Sequence, residues 1–321
     1  MTLLDQTIIR DFCDYSFGDQ SGEGCVHNWH MKPANINNHE FINAYNLAKA
    51  NGKKFMTLFI DNIRLYKRNN VKYTAMENEL PHVKLIKDNR VKQLFQNNDL
   101  LELCSILSDM NFVIFSGFED TPLDDEIHNK IPDNVLGIHA SNALSFGGKV
   151  HPMPYGLQRK LNHTDIRHEI IESMLAVDVE PNNLLYINHS LSSNFAERNG
   201  VNNLFKDKSF AYIENTKLDY QQYFLQIKNH KFMICASGNA IGCDCHRDWE
   251  VLYMKRVPIV IDSNYLRNVF DGLPVLFVKD WNDITEELLL NNNDLFERAK
   301  NIDSELLDQN QRLSKIMDLY K

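Results

Sequence analysis

Residues 229–262 constrain this chain more than any other stretch. They read Asn-His-Lys-Phe-Met-Ile-Cys-Ala-Ser-Gly-Asn-Ala-Ile-Gly-Cys-Asp-Cys-His-Arg-Asp-Trp-Glu-Val-Leu-Tyr-Met-Lys-Arg-Val-Pro-Ile-Val-Ile-Asp. An apolar run, Phe232–Cys235, ends in a loop carrying Ser237, Gly238 and Gly242. A helical pattern then runs from Asp244 to about Lys255. Val257–Ile261 is a second apolar run, too short and too β-branched for a helix. The order is therefore strand, glycine-bearing loop, helix, strand. Such a unit places loop amides beside a helix N-terminus, a setting that suits an anionic group. Arg247 and Glu250 lie three residues apart and share a helix face near that end. An arginine can fork onto a diphosphate, and a carboxylate can accept hydrogen bonds from ribose hydroxyls.

The rest of the chain repeats the alternation. Residues 8–17 read as a first strand, followed by a glycine-rich loop at 18–24. A helix begins near Asn38 and stops before Gly52. Phe55–Ile60 is a buried strand, and 62–92 is polar and ambiguous. Leu100–Met110 is helical, Phe112–Phe115 is a strand closing at Ser116-Gly117, and Val135–His139 and Val150–Met153 are short strands. Residues 162–177 read as a helix and Glu180-Pro181-Asn182-Asn183 as a link. Leu184–Asn188 opens a second α/β region, with helices near 194–205 and 217–229. The tail from about 283 to 321 is charged, amphipathic and helical. Strands alternating with helices argue for parallel βαβ units. The fold expected is α/β, with two Rossmann-like domains facing a central cleft. Residues 1–180 form the first, 181–300 the second, and 301–321 a C-terminal helix. Open α/β sheets bind ligands at the carboxyl ends of their strands, so those loops should line the cleft.

Composition narrows the function. The length of 321 residues suits two domains of ordinary size. A net charge of -9 argues against a general nucleic-acid binder, which needs clustered Lys and Arg. No apolar run reaches the length of a membrane span, and Met1–Arg10 lacks the pattern of a secretory signal. The six cysteines, at 13, 25, 104, 235, 243 and 245, do not form a disulfide framework. Cys243-x-Cys245-His246 with Cys235 upstream invites a zinc reading, but a second ligand pair is missing. These residues are expected to pack where strand and helix meet.

The string Phe-Met-Ile-Cys-Ala-Ser-Gly…Asp-Cys-His-Arg-Asp-Trp-Glu…Val-Pro-Ile-Val-Ile resembles the C-terminal signature of exostosin-like glycosyltransferases of the GT-B fold. Leu273-Pro274-Val275 and Val278-Lys279-Asp280-Trp281 extend the likeness, which covers roughly residues 185–290. The resemblance implies a GT-B enzyme that inverts configuration without a metal. It would move a hexosyl or pentosyl group from a nucleotide-diphosphate sugar to a glycan hydroxyl, with no cofactor beyond that donor. Exostosin relatives in the secretory pathway carry a membrane anchor. This chain departs from them there, so a cytoplasmic enzyme or an excised catalytic domain is expected.

Glycosyl transfer needs positive charge or dipoles at the diphosphate, a hold on the nucleotide and, for inversion, a base at the acceptor hydroxyl. The expected donor site joins Ser237, Gly238, Asn239, Gly242, Asp244, His246, Arg247 and Glu250 with Ser192, Asn194 and Arg198 from the loop after Leu184–Asn188. The alternative for Arg247 is a surface ion pair with Asp244 or Asp248. Ser192 and Asn194 would serve equally as helix N-caps. Trp249 is read as core. For the base, Asp19 ranks first, then Glu119 and Asp120, then His139, with His27 and His30 behind. His139 directly follows an apolar strand, where its ring could titrate near neutrality. No Asp-x-Asp occurs, and the position eight before Glu250 is Gly242, so neither a metal-holding pair nor a paired-glutamate motif is present. The competing reading is a non-catalytic nucleotide- or sugar-binding α/β protein. A dinucleotide oxidoreductase is disfavoured because Gly18, Gly22 and Gly24 miss the Gly-x-Gly-x-x-Gly spacing.

Overall fold

A computed structural model describes residues 1–17, 38–61, 65, 100–117, 120–158 and 166–321. The Cα packing divides the chain into two compact units. One is Thr7–Met153, and the other joins Met1–Gln6 to Pro154–Lys321. The division thus falls at Met153–Pro154 and not near residue 180. Among the described residues, no helix is long and apolar enough to cross a membrane.

The Thr7–Met153 unit holds a five-stranded parallel sheet. Its strands are β1 (Tyr15–Ser16), β2 (Phe55–Asp61), β3 (Asn111–Gly117), β4 (Val135–Ala140) and β5 (Val150–Pro152), in the order β1-β2-β3-β4-β5. Phe112, Val113, Ile114 and Phe115 on β3 are all buried. This is the continuous apolar run expected of a parallel strand covered on both faces. Helices Asn38–Ala50 and Leu100–Ile106 belong to this unit, the second ending four residues short of the expected Met110. Residues 8–17 are not a single strand. Gln6–Phe12 is a helix, and only Tyr15–Ser16 pairs with β2. Gln6 and Ile9 are buried three residues apart, which is helical spacing, and the Ile8-Ile9 pair had imitated a strand.

The second unit holds another five-stranded parallel sheet: β6 (Asn183–Ile187), β7 (Ala211–Ile213), β8 (His230–Ile234), β9 (Val257–Ile261) and β10 (Leu276–Val278). Its order is β10-β9-β8-β6-β7. The alternation of strand and helix read from 184 onward is thus an α/β sheet, but two short strands were not anticipated. β7 and β10 have three residues each, too few for a periodic signal. Leu185, Ile187, Phe232, Ile234, Val257 and Ile259 form one core cluster with Val201 and Phe205 of helix Phe195–Phe205 and Phe296 of helix Asn293–Lys300. Helix Tyr220–Lys228 starts with a capping box, in which Asp219 accepts from the Gln222 amide and the Gln222 side chain accepts from the Asp219 amide.

Residues Met1–Gln6 are tied into this second unit. Thr2 donates to Asp308 (2.6 Å) and accepts from the Gln309 amide (2.9 Å), and the Leu4 amide donates to Tyr253 Oη (2.6 Å). The Leu4 carbonyl accepts from the Leu157 amide at 2.7 Å. Gly156 makes that approach feasible. Its φ is +76°, and a Cβ there would stand 2.7 Å from the Leu4 carbonyl oxygen. Gly156→Ala is therefore expected to cost about 2 kcal/mol in backbone strain. That corresponds to roughly 4–8 °C in thermal midpoint for a unit of this size. An unchanged melting curve would show that the amino-terminal strap does not hold the unit.

Candidate anion site at the strand-order reversal

In the second sheet the chain passes from β6 outward to β7, then returns to lay β8, β9 and β10 on the other side of β6. The order reverses between β6 and β8. In open α/β sheets, ligands bind outside the carboxyl ends of the strands at such a point. The two loops that leave there are 188–194 and 235–245. They carry most of the donor-site residues expected from sequence.

Arg198 ties these loops together. It is 5% exposed. Its Nε donates to the Ser237 carbonyl (3.1 Å), and Nη1 donates to the Ser190 carbonyl (2.8 Å) and Ser193 Oγ (2.5 Å). Arg198 thus spends its hydrogen bonds on the loops while its charge remains. Burial lowers its pKa, as does the charge of Arg247.

Asn194 holds the N-cap position of helix Phe195–Phe205 in the left-handed region, at φ 46°, and its side chain does not cap. It donates instead to Glu197 and to the Ser237 carbonyl (3.3 Å). The capping expected of Asn194 is displaced by this bridge between loops. Ser192 stays at the surface, hydrogen-bonded to Ser190. His189, which sequence did not single out, sets its Nε2 3.0 Å from the Arg198 carbonyl, so Nε2 carries the proton. Burial, with the charges of Arg247 and Arg198, lowers its pKa to about 4. The ring is neutral at physiological pH.

The 235–245 loop turns through Gly242, at φ 81°, which favours glycine. The Gly242 amide donates to Ser237 Oγ (3.4 Å). Among the described residues the amides of Gly238, Ala240 and Ile241 donate no hydrogen bond. Asn239 lies exposed in the same loop.

The helix after this loop spans His246–Tyr253, shorter than the expected Asp244–Lys255. The cause is Asp244. Its buried carboxylate accepts from Trp249 Nε1 (2.7 Å), Tyr265 Oη (2.8 Å) and the Tyr155 amide (2.7 Å). Those bonds hold it outside the helix and leave the carboxylate occupied by the protein. Asp248 takes the starting role, accepting from the Cys245 amide at 2.6 Å. At the far end Lys255 has φ 59°, which stops the helix. Trp249 is fully buried, as expected, with its ring 5.1 Å from Phe270. His246 Nδ1 lies 2.7 Å from the Gly156 carbonyl.

Arg247 is held differently from Arg198. It is half-buried. Among the described residues its guanidinium makes no hydrogen bond, and neither Asp244 nor Asp248 pairs with it within 4 Å. Its Nε is buried with no partner. Buried polar atoms are almost always paired, so each exception calls for a cause. Burial opposes its charge, but Tyr223, Cys245, Cys235 and Glu250 around it outweigh burial and raise its pKa. Glu250, on the same helix face, accepts from Tyr223 Oη at 2.8 Å. Burial raises the Glu250 pKa, while Arg247 and Tyr223 oppose the rise.

Asp248 gives the site a pH dependence. Burial lifts its carboxyl to about 7, with the Cys245 amide opposing and the charge of Asp244 adding. An unfolded aspartate titrates near 3.9. Between those values the folded chain holds a proton that the unfolded chain has released. The resulting stability is present below about pH 4 and is lost as pH rises toward 7. Asp248→Asn removes this loss, so it is expected to raise the thermal midpoint more at pH 8 than at pH 4.5. Equal shifts at both values would contradict this ionisation.

Among the described residues no three or more of His, Cys, Asp and Glu are grouped to hold a metal ion. Cys235 and Cys243 are buried as packing residues, and burial raises the Cys235 and Cys245 thiols.

The first unit holds the base candidates. Asp19 and Glu119, like His27 and His30, lie outside the described residues. Asp120 is half-buried beyond β3. His139 differs from the expectation of a ring titrating near neutrality. It is 2% exposed, stacked between Phe115 (5.4 Å) and His151 (4.9 Å). Burial, then the neighbouring His151, lowers its pKa to about 3. A ring so resistant to protonation is a weak base at neutral pH. His139 lies within β4 and not after it, and the sequence did not show the stack with Phe115 and His151 in register beside it.

The chain matches no protein-family model and no curated protein.

Proposed function

We propose that this chain is a glycosyltransferase of the GT-B kind, similar to the exostosin-like enzymes. It moves a sugar from a nucleotide-diphosphate sugar to a glycan hydroxyl, with inversion and without a metal. The supporting observation is Arg247: a half-buried arginine, unpaired among the described residues, beside the sheet's strand-order reversal.

The chemistry follows from charge. Breaking the glycosidic bond to a diphosphate leaves negative charge on the departing oxygens. Preorganised donors in a site shielded from water stabilise that charge most effectively. Arg247 supplies the cation, and the unspent amides of Gly238, Ala240 and Ile241 supply dipoles. Arg198 adds a second charge while fixing the loop that carries them. Glu250 accepts from ribose hydroxyls in this reading, exchanging its bond from Tyr223. An acceptor base completes this reading, with Asp19 ranked first and Glu119 and Asp120 next.

The test is turnover. Wild-type protein incubated with a panel of nucleotide sugars and glycan acceptors in EDTA should release one family of nucleoside diphosphate. Arg247→Met should reduce that release at least a hundredfold. Tight nucleotide binding with no turnover on any acceptor would instead favour a non-catalytic nucleotide-binding protein.

A further inference from the structure

The anion loop has an aromatic neighbour that its phosphate chemistry does not use. Glu197, one residue before Arg198, gathers three loops on one carboxylate. Its Oε1 accepts from the Ser237 amide (3.4 Å) and from Trp281 Nε1 (3.2 Å), while Oε2 accepts from Asn194. Asn194 follows β6, Ser237 follows β8 and Trp281 follows β10. The indole N–H and the loop amide therefore share a single oxygen, within two hydrogen-bond lengths of each other.

Trp281 is fixed from its own side as well. Asp280 accepts from the Asn282 amide (2.8 Å), and the Asp280 amide donates to Asp283 (3.0 Å), capping the short turn Trp281–Asp283. The indole packs partly against the core and keeps part of its surface open. A rigid, oriented, half-open indole beside an anion loop suits a planar group carried on a phosphate. Phe195, 61% exposed two residues before Glu197, adds apolar surface on the neighbouring loop.

We infer that Trp281 is the stacking platform for the base of a nucleoside diphosphate, and that Glu197 is the positioning residue that sets its distance from the Ser237–Gly242 loop. This rests on the anion-site reading above and adds to it the part of the ligand that lies beyond the phosphates.

The experiment compares two probes, inorganic pyrophosphate and a panel of nucleoside diphosphates, on wild type, Trp281→Leu, Trp281→Phe and Glu197→Gln. A stacked base contributes roughly one to two factors of ten in affinity. Trp281→Leu should weaken the preferred nucleoside diphosphate at least tenfold and pyrophosphate less than twofold. Trp281→Phe should recover most of the loss, because the phenyl ring also stacks. Glu197→Gln should shift the nucleoside diphosphate more than pyrophosphate. Wild-type tryptophan fluorescence should be quenched by the nucleoside diphosphate and not by pyrophosphate, a readout that needs no variant to fold. Equal weakening of both probes, or no quenching by a nucleotide that binds, overturns the platform and leaves the anion site standing. Failure of wild type to bind either probe removes the anion site and the platform with it.

Discussion

Arg247→Met is expected to weaken pyrophosphate or nucleoside diphosphate binding about a hundredfold while lowering the thermal midpoint only slightly. Each half follows from the same observation. A hydrogen bond between charged groups is worth roughly 1.5–3 kcal/mol, and 1.4 kcal/mol is a factor of ten. Losing one or two such bonds to a phosphate therefore removes about two factors of ten. The fold loses little, because the Arg247 guanidinium holds no hydrogen bond among the described residues and has a buried Nε with no partner. Methionine keeps the unbranched stem, and the favourable charge contacts with Glu250 and its neighbours that it gives up are partly offset by removing the burial penalty. Glu250 still accepts from Tyr223. Calorimetric titration and a melting curve on the same sample separate the two effects. A large fall in midpoint would show that Arg247 is structural.

Asp244→Ala should do the reverse. Asp244 was expected at the donor, yet its carboxylate accepts from Trp249, Tyr265 and the Tyr155 amide. Removing it strands three buried donors, each at about 1–3 kcal/mol. The expected loss is about 4 kcal/mol, or roughly 8–16 °C in midpoint for a unit of this size. Asp244→Asn should fall between, since one amide oxygen cannot replace two carboxylate oxygens facing three donors. In protein that remains folded, pyrophosphate affinity should change less than threefold. A stable Asp244→Ala that fails to bind would return this residue to the ligand.

The contrast between these two residues shows what was legible in the sequence. The spacing around 229–262 marked strand, loop, helix and strand, because apolar periodicity reports which backbone is buried. It placed Arg247 and Glu250 on one helix face. It did not report which polar atoms the protein itself would occupy. Asp244 and Arg247 are three residues apart in similar chemical company, and only tertiary partners such as Tyr155 and Tyr265 separate their roles. Arg198 and Asn194 were visible as loop-to-helix residues, but their tie to Ser237 spans about forty positions and leaves no local pattern. β7 and β10 were too short to register. His139 read as a residue after a strand, whereas its properties come from Phe115 and His151 on neighbouring strands. The reversal of strand order between β6 and β8, which singles out the two loops, is a property of pairing and is not written in any one segment.

The most direct measurement is equilibrium binding of pyrophosphate and of a nucleoside diphosphate panel to the wild-type chain, with EDTA present, beside Arg247→Met. Saturable binding without divalent cation, selectivity for one nucleotide family, and near-complete loss in the variant at little cost in stability are expected. Binding that survives Arg247→Met undiminished, or no binding of any of these anions to the wild type, would contradict the anion site.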